Sequence, residues 1–375
     1  MIEAGQRQTV FQWFATLALV AAGCSSAPAA PGAKVAAGAV DVAADASTAD
    51  EPAPPADTAV PDAAADVPAA PDIAAPADTP AADVPAPADA VAPPDVAAIP
   101  AAGCGKAWPV GSTSVTLANR SYRVHVPKGY TGTQALMVVV GFHGLGDSGQ
   151  KLETLSGLST AADTQGFLAV YPDGISGSWN AGKCCDPAKT LKVDDAAFVN
   201  AVLDDVQAKY CVDSKRIFAT GFSNGGYMSQ VVGCQLSQRF AAIAPVSGTM
   251  TLSTCSPTRP VSVLEFHGTL DFVVPYGGGG LTGGAASVDD TIAGWVKRNG
   301  CTDAKPAVVF QKGDTTCSAY QQCQDGAAVE LCKIDGGGHQ WPSSPTGGNP
   351  IRGKMSTDID ATAQILAFFA AHPMP

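Results

Sequence analysis

The sequence predicts an α/β domain with a mostly parallel central sheet flanked by helices. From residue 104 onward, short runs rich in β-branched residues alternate with amphipathic stretches, which is the pattern of a sheet wrapped by helices. The apolar run Leu136 to Phe142 is typical of a strand that is buried on both faces. Residues 104–375 are also numerous enough to bury one large core.

The predicted elements alternate along the chain. A hairpin is predicted over Ser114 to Val126, followed by the buried strand and by a helix around Lys151 to Thr164. Asp194 to Tyr210 is predicted to be a helix because its apolar residues recur on one face and two acids suit its N-terminus. The other predicted strands are Phe167 to Tyr171, Arg216 to Thr220, Ala241 to Val246, Val261 to Phe266 and Val329 to Ile334. The other predicted helices are Gly225 to Leu236, Ser287 to Arg298 and Ala361 to Ala371.

The first hundred residues differ in composition from this folded region. Residues 25–103 contain twelve acidic residues against the single base Lys34, so they carry most of the formal net charge of −12. The remainder of the chain is close to neutral, which gives no electrostatic reason to expect a nucleic acid as partner. Ala-Asp-Val-Pro-like units without an aromatic residue predict that residues 24–103 form a disordered tether, with a reach between roughly 50 and 240 Å.

Residues 1–23 look like a bacterial lipoprotein signal peptide. The apolar run Trp13 to Ala22 is too short for a permanent membrane span, and small residues precede Cys24. We expect cleavage before Cys24, which would then carry the lipid. Ser25 lacks the acid that is associated with inner-membrane retention, so the expected location is the outer membrane or cell surface. An ordinary secretory signal that is cut nearby is the alternative, and either signal exports the protein.

Eleven cysteines occur in the chain, and ten remain when Cys24 is set aside. An even number in an exported protein favours up to five disulfides. Zinc binding is the competing interpretation, but Cys184 and Cys185 are adjacent, no Cys-x-x-Cys pair occurs and no histidine clusters with cysteines. We expect no metal. Proximity in sequence favours a Cys234–Cys255 pair and pairs among Cys301, Cys317, Cys323 and Cys332, although connectivity does not follow from sequence.

A Gly-x-Ser-x-Gly motif, Gly221-Phe222-Ser223-Asn224-Gly225, lies between a predicted strand and a predicted helix. In this context the motif indicates the nucleophile elbow of an α/β-hydrolase fold, where the serine adopts a strained conformation and small flanking residues let the backbones pass. A glycine-rich turn that leads into a helix is the alternative. Ser223 is therefore the candidate nucleophile.

A serine nucleophile needs a base and an acid that orients the base, which in this fold follow the serine in the order acid then histidine. Asp271 follows a predicted strand, and His339 lies in a glycine-rich loop after the last predicted strand. Asp335 is the rival acid, but it would need a tight turn to reach a histidine four residues away. The other histidines are expected to be structural: His125, His143, His267 and His372.

The oxyanion of a tetrahedral intermediate needs two backbone donors. The amide of Asn224, directly after the nucleophile, is expected to supply one, and the amide of Leu145 in the loop after the buried strand the other. His143 would orient that loop. Trp179, Tyr276 and Trp341 lie on loops near the same edge of the predicted sheet and are expected to contact substrate; packing of the loops is the equally weighted alternative.

Six ordered motifs in residues 104–375 resemble those of secreted esterases, namely the feruloyl and acetylxylan esterases of carbohydrate esterase family one and the related poly(3-hydroxybutyrate) depolymerase-like enzymes. They are Phe142-His143-Gly144, Trp179-Asn180-Ala181-Gly182 with Cys184-Cys185, Val193-Asp194-Asp195 with Phe198, Ser223 to Met228, Phe266-His267-Gly268 with Asp271, and Gly338-His339 with Trp341-Pro342. The resemblance implies an α/β-hydrolase with Ser223 as nucleophile, Asp271 as acid and His339 as base, and no cofactor.

The expected function is that of an exported serine esterase that hydrolyses feruloyl or acetyl esters of plant polysaccharide through an acyl-enzyme. Hydrolysis of poly(3-hydroxybutyrate) oligomers is the alternative, and a non-catalytic binding module on a tether is a third hypothesis, against which the complete set of triad residues argues. The expected partners are the ester substrate and, through the lipid on Cys24, a membrane. We expect a monomer that binds no nucleic acid.

Overall fold

A computed structural model describes residues 102–280 and 284–375 of the chain. The predicted signal peptide, the lipidation site Cys24 and nearly all of the predicted tether lie outside the described residues. These three predictions therefore stay predictions.

A single mixed β-sheet forms the centre of the described residues. Its strands lie in the order β1-β2-β4-β3-β5-β6-β7-β10-β9-β8. The six strands from β4 to β10 in this order run parallel, and the pairs at both edges are antiparallel. The strands are β1 (Gly111–Leu117), β2 (Arg120–Val126), β3 (Leu136–Phe142), β4 (Leu168–Pro172), β5 (Val212–Phe222), β6 (Ala242–Val246), β7 (Ser262–Gly268), β8 (Ala307–Lys312), β9 (Thr315–Tyr320) and β10 (Val329–Ile334). The predicted α/β class is confirmed.

Helices cover both faces of this sheet. They are α1 (Gly149–Ser156), α2 (Leu158–Gln165), α3 (Asp195–Lys209), α4 (Asn224–Gln235), α5 (Val288–Arg298) and α6 (Ala361–Ala371). One buried cluster joins the sheet to α3, α4 and α5, and a second joins it to α1, α2 and α6. Because β3, β4, β6, β7 and the second half of β5 are covered on both faces, their side chains are almost all buried, as the apolar run predicted for β3.

Two elements differ from the sequence-based prediction. The helix expected around Lys151 to Thr164 is two helices, because Gly157 takes a left-handed conformation (φ 67°) that ends α1 and precedes α2. The antiparallel hairpin of β8 and β9 was not predicted. Its two strands flank Gly313 and Asp314, a turn signal that could have revealed it.

Five disulfides stabilise the described residues. The predicted Cys234–Cys255 pair is present, and the last four cysteines pair with one another as expected. Glu330 lies next to Cys317 and Cys332, but these two sulfurs are bonded to each other and offer no thiolate to a metal ion. The complete set is Cys104–Cys211, Cys184–Cys185, Cys234–Cys255, Cys301–Cys323 and Cys317–Cys332. Among the residues that the structure describes, no helix is long and apolar enough to cross a membrane.

Candidate active site

Ser223 stands at the sharp turn between β5 and α4. Its backbone has φ 60° and ψ −118°, a conformation that residues other than glycine rarely adopt, and its amide donates to the Val246 carbonyl at 2.9 Å. A Cβ atom on Gly221 would collide with the carbonyl of Gly225, and one on Gly225 would collide with the carbonyl of Phe142. The two glycines of the motif are therefore required by close backbone contacts, as the elbow hypothesis predicts.

Asp271 lies in the turn that follows β7, and the structure brings it to His339. Its Oδ2 is 2.7 Å from Nδ1 of His339, while its Oδ1 accepts hydrogen bonds from the amides of Val273 and Val274 at 2.9 and 2.8 Å. Burial alone would raise the pKa of Asp271, but the hydrogen bond and charge of His339 outweigh it and lower that pKa. The carboxylate is therefore ionised and orients the imidazole.

His339 lies in the loop after β10, close to the candidate nucleophile. Its amide donates to the carbonyl of Arg352 at 2.7 Å, and its ring packs on Phe222 with 4.8 Å between the ring centroids. Ser223 and His339 face the same pocket. Within the described residues, no hydrogen bond joins the Ser223 hydroxyl to His339, and such contacts commonly tighten only when substrate binds.

The pocket shared by Ser223 and His339 has a volume of about 270 Å³. Its other lining residues are mostly apolar: Leu145, Cys185, Tyr227, Val273, Val274 and Arg352. Asn224 also faces it. An apolar pocket with a few polar groups at the reacting centre is the usual form of a site for a small organic group.

Comparison with known proteins identifies relatives of this chain. A model of the phospholipase/carboxylesterase family matches residues 190–285. Feruloyl esterase B of Piromyces equi is 36% identical over 236 residues, which cover 59% of this chain and 42% of that protein. "Probable feruloyl esterase C" of Aspergillus clavatus is 30% identical over 212 residues, which cover 54% of this chain and 70% of that protein. The chain belongs to the feruloyl esterase family.

This membership makes the protein a serine carboxylic ester hydrolase of the α/β-hydrolase superfamily. The solved structure "Acetyl xylan esterase from Aspergillus awamori" supports the fold, with a TM-score of 0.51 and 17% identity over 70% of this chain and 99% of that one. The resemblance inferred from the six motifs is thereby confirmed.

The two amides expected to hold the oxyanion line the esterase pocket together. Leu145, 52% exposed, and Asn224, 1% exposed, both face it, and neither backbone N–H donates to another described residue. The Asn224 amide lies at the N-terminus of α4, where a helix leaves its first N–H groups free and favours negative charge. The two donors are thus available to a ligand in the pocket.

His143 fixes the loop that carries Leu145. Gly174 N donates to His143 Nε2 at 2.9 Å, so Nε2 is unprotonated and Nδ1 carries the hydrogen that is donated to the Gly144 carbonyl at 2.8 Å. Burial lowers the pKa of His143, which agrees with a neutral ring. His143 therefore orients the loop, as its position in the sequence suggested.

The three aromatic residues expected at the substrate do not line the pocket. Trp179 is fully buried, packs against His143 and donates from Nε1 to the His143 carbonyl at 3.0 Å. Trp341 is 1% exposed and donates to Thr362 at 3.0 Å. Tyr276 packs edge-on against His267. For Trp179 and Tyr276 the structure corresponds to the packing alternative, because the loops that carry them fold back onto the core. Trp341 packs on the core but also lines a second cavity, which is described below.

A buried ion pair beside Trp179 was missed by the sequence analysis. Arg120 Nη1 lies 2.7 Å from Asp195 Oδ1, and the guanidinium stacks 3.6 Å from the ring centre of Phe198. Asp195 Oδ2 accepts from the Asn180 amide at 2.7 Å, and the Asn224 side chain holds the backbone of the neighbouring Trp179 at 2.8 and 3.1 Å. These contacts explain why the Trp179-Asn180 and Asp194-Asp195 motifs occur together. Arg120 carried no motif that could have revealed it.

A second, polar cavity adjoins the esterase pocket. It has a volume of about 480 Å³ and shares Arg352 with the pocket. Its lining combines the polar side chains of Asp147, Lys151, Thr154, Gln340 and Asn349 with the apolar side chains of Leu155, Phe222 and Trp341. The Gln340 side chain donates to the carbonyls of Asn349 and Gly353, which ties the wall of this cleft to the segment that carries His339.

Proposed function

We propose that the protein is an exported feruloyl esterase that cleaves hydroxycinnamoyl esters, and with lower preference acetyl esters, of plant polysaccharide. The observation that carries this proposal is the Asp271–His339 hydrogen bond beside Ser223, in an apolar pocket with two free amides. Membership of the feruloyl esterase family supports a hydroxycinnamoyl group as the acyl part of the substrate.

In the proposed reaction the Ser223 hydroxyl attacks the ester carbonyl and His339 Nε2 takes the hydroxyl proton. The Leu145 and Asn224 amides hold the oxyanion of the tetrahedral intermediate. The intermediate collapses as His339 returns the proton to the departing alcohol, which leaves an ester between the acyl group and Ser223. Water, deprotonated by His339, then hydrolyses that ester, releases the acid and restores the serine. Asp271 stays ionised throughout and stabilises the imidazolium.

The size and walls of the pocket favour an aromatic acyl group. A pocket of about 270 Å³ is much larger than an acetyl group, which would leave most of it unfilled. A phenylpropenoyl group can bury its flat apolar faces against Leu145, Val273 and Val274. The exposed Leu145 and Phe272, the latter adjacent to Asp271, extend the apolar surface outside the pocket.

The polar cleft beyond Arg352 is proposed to receive the alcohol side of the ester. Its charged, amide and hydroxyl side chains can donate to and accept from the hydroxyl groups of a saccharide. Because Arg352 borders both cavities, a substrate that spans them would place its ester bond near Ser223 and its sugar in the cleft.

Export and lipid attachment are proposed from the sequence. The five disulfides support an oxidising compartment. The lipid on Cys24 and the tether would then hold the esterase, as a monomer, away from the outer membrane or cell surface.

The experiment that tests the proposal compares methyl ferulate with a soluble hydroxybutyrate trimer as substrates of the full chain, with Ser223→Ala as the blank. We expect a much higher kcat/KM for methyl ferulate and no turnover by the variant, whose fold is checked by circular dichroism. Preference for the trimer would instead assign the protein to polyester hydrolysis, and turnover by Ser223→Ala would exclude the mechanism.

A further inference from the structure

A second acid–histidine pair lies buried directly behind Asp271. Glu265 and His267 are two residues apart on β7, so their side chains lie on the same face of the sheet. Both side chains are fully buried, as is that of Asp271. The proposed reaction uses neither residue, and a buried ionisable pair is costly unless its groups are paired.

Every polar atom of this pair has a partner. Glu265 Oε2 accepts from the Gln230 side chain at 3.0 Å, and Gln230 in turn accepts from the Trp295 indole at 2.7 Å. Glu265 Oε1 is 3.2 Å from His267 Nδ1. A chain of hydrogen bonds therefore runs from α5 through α4 to β7.

The other side of His267 faces the turn that carries Asp271. His267 Nε2 is 2.8 Å from the Val274 carbonyl and 3.7 Å from Asp271 Oδ2. A carbonyl oxygen only accepts, so Nε2 carries a hydrogen. Nδ1 faces a carboxylate, so the second proton of the pair is either on the imidazole, which gives an ion pair, or on Glu265, which gives two neutral groups.

We propose that Glu265 and His267 form an ion pair and that the His267 imidazolium is a positioning residue, which holds the Asp271 turn and balances the charge of Asp271. This inference rests on the proposed function, since it assigns a role within the same triad. Three oxygen atoms from Glu265, Val274 and Asp271 surround the ring, an arrangement that suits a cation better than a neutral imidazole.

The pKa shifts of the two partners bear on this assignment in opposite ways. Burial lowers the pKa of His267, but the hydrogen bond and charge of Glu265 outweigh it, so that pKa is raised and favours the imidazolium. Burial raises the pKa of Glu265 despite its hydrogen bonds with His267 and Gln230, so the assignment rests on the three oxygen atoms around the ring. The other titratable groups that face the ring are Tyr276 and Lys333, and each of them has another partner. Tyr276 presents its ring edge at 5.9 Å and bonds Asp289, and Lys333 on the adjacent strand pairs with Asp335.

An imidazolium at this place adds a positive charge on the far side of Asp271, where it offsets part of the negative charge that the triad presents to a proton. The acidic limb of the kcat/KM profile reports the protonation of the essential base in the free enzyme. Loss of the positive charge should therefore move that limb to higher pH.

The test compares the pH profiles of kcat/KM on methyl ferulate for the full chain and two variants, His267→Gln and Glu265→Gln. Glutamine at 267 is able to donate to the Val274 carbonyl but carries no charge, and Glu265→Gln removes the anion that keeps His267 protonated. For both variants we expect the acidic limb to move to higher pH by about one unit, which lowers kcat/KM on that limb about tenfold.

Glu330→Gln is the matched control, because Glu330 is a buried glutamate on β10 that lies beside the Cys317–Cys332 disulfide and takes no part in this chain of hydrogen bonds. The acidic limb of the kcat/KM profile of Glu330→Gln should not move. An unmoved limb in folded Glu265→Gln would overturn the ion pair, because the variant reproduces a protonated Glu265. If His267→Gln does not fold, Glu265→Gln alone decides. Turnover by Ser223→Ala would instead count against the proposed function.

Discussion

Asp271 Oδ2 and His339 Nδ1 are 2.7 Å apart, although the two residues are separated by 68 positions in the chain. The contact forms because β7 and β10 are adjacent parallel strands, so the loops after their carboxyl ends emerge at the same edge of the sheet. The Ser223 elbow follows β5 at that same edge. Adjacent strand ends, rather than neighbouring positions in sequence, bring the candidate triad together.

Replacement of the candidate acid should abolish most activity. We expect Asp271→Asn to lower kcat on methyl ferulate by about 10³–10⁴-fold, because the amide cannot hold the required tautomer of His339 or stabilise its charge. Asp335→Asn is the control. Asp335 is the rival acid from the sequence, but its side chain is 65% exposed and pairs with Lys333, so its variant should keep nearly full activity. A larger loss of activity in Asp335→Asn than in Asp271→Asn would instead identify Asp335 as the acid.

A methyl group at the elbow should disrupt the fold locally. Gly225→Ala places a Cβ against the Phe142 and His143 carbonyls, and we expect the unfolding free energy to fall by about 1–3 kcal/mol together with a loss of turnover. Gly277→Ala is matched to it, since a Cβ there meets no atom within 4 Å. Chemical denaturation of both variants checks this, and equal stabilities would refute the steric argument.

The buried, neutral His143 should make stability depend on pH. Its pKa is lowered by burial in the folded state, so its favourable contribution is present above the unfolded value of about 6.5 and is lost as pH falls through the lowered folded value. Denaturant titrations of the protein and of His143→Gln between pH 7.5 and 5 should show a smaller loss of stability in the variant. Parallel pH dependences would contradict the lowered pKa.

The polar cleft should matter only for substrates that carry a sugar. Lys151 lines the cleft but not the acyl pocket and forms no ion pair among the described residues. We expect Lys151→Ala to lower kcat/KM on a feruloylated oligosaccharide about threefold to tenfold, the effect of one hydrogen bond of roughly 1 kcal/mol. Methyl ferulate, which has no sugar, should be hydrolysed as before.

The matched control for the cleft is Lys305→Ala, an exposed lysine that precedes the edge strand β8. It should leave both substrates unaffected. Equal losses on the methyl ester and the oligosaccharide for Lys151→Ala would show that the cleft does not bind the alcohol side.

Much of the fold could be predicted from local patterns. The buried strand Leu136–Phe142 is found with the bounds expected, because a fully apolar run of this length has few other stable environments. The Gly-x-Ser-x-Gly elbow was equally local, since its glycines are imposed by backbone contacts within the turn. By contrast, the interruption at Gly157 depended on how α1 and α2 pack, which a helical pattern alone does not report.

The substrate side could not be predicted in the same way. Trp179 was expected at the substrate because its loop ends at the correct edge of the sheet, but its indole turns into the core. The Trp341 indole is also buried, although it lines the second cavity, so its contact with substrate stays a prediction. Val273 and Val274, which line the pocket, and Arg120, which pairs with Asp195, carried no signal of their own. Whether a loop side chain faces the core or the pocket depends on contacts with residues far away in sequence.

By itself, the sequence determined the α/β class, the order of its main strands and helices, and the three residues proposed for catalysis, because periodicity and short motifs reflect the local requirements of the backbone. Only the tertiary structure decided which residues line the pocket, which cysteines pair across the fold, and that Glu265 and His267 lie behind Asp271. The physical reason is that these features arise from contacts between distant segments, which form only when the sheet brings its strand ends to one edge.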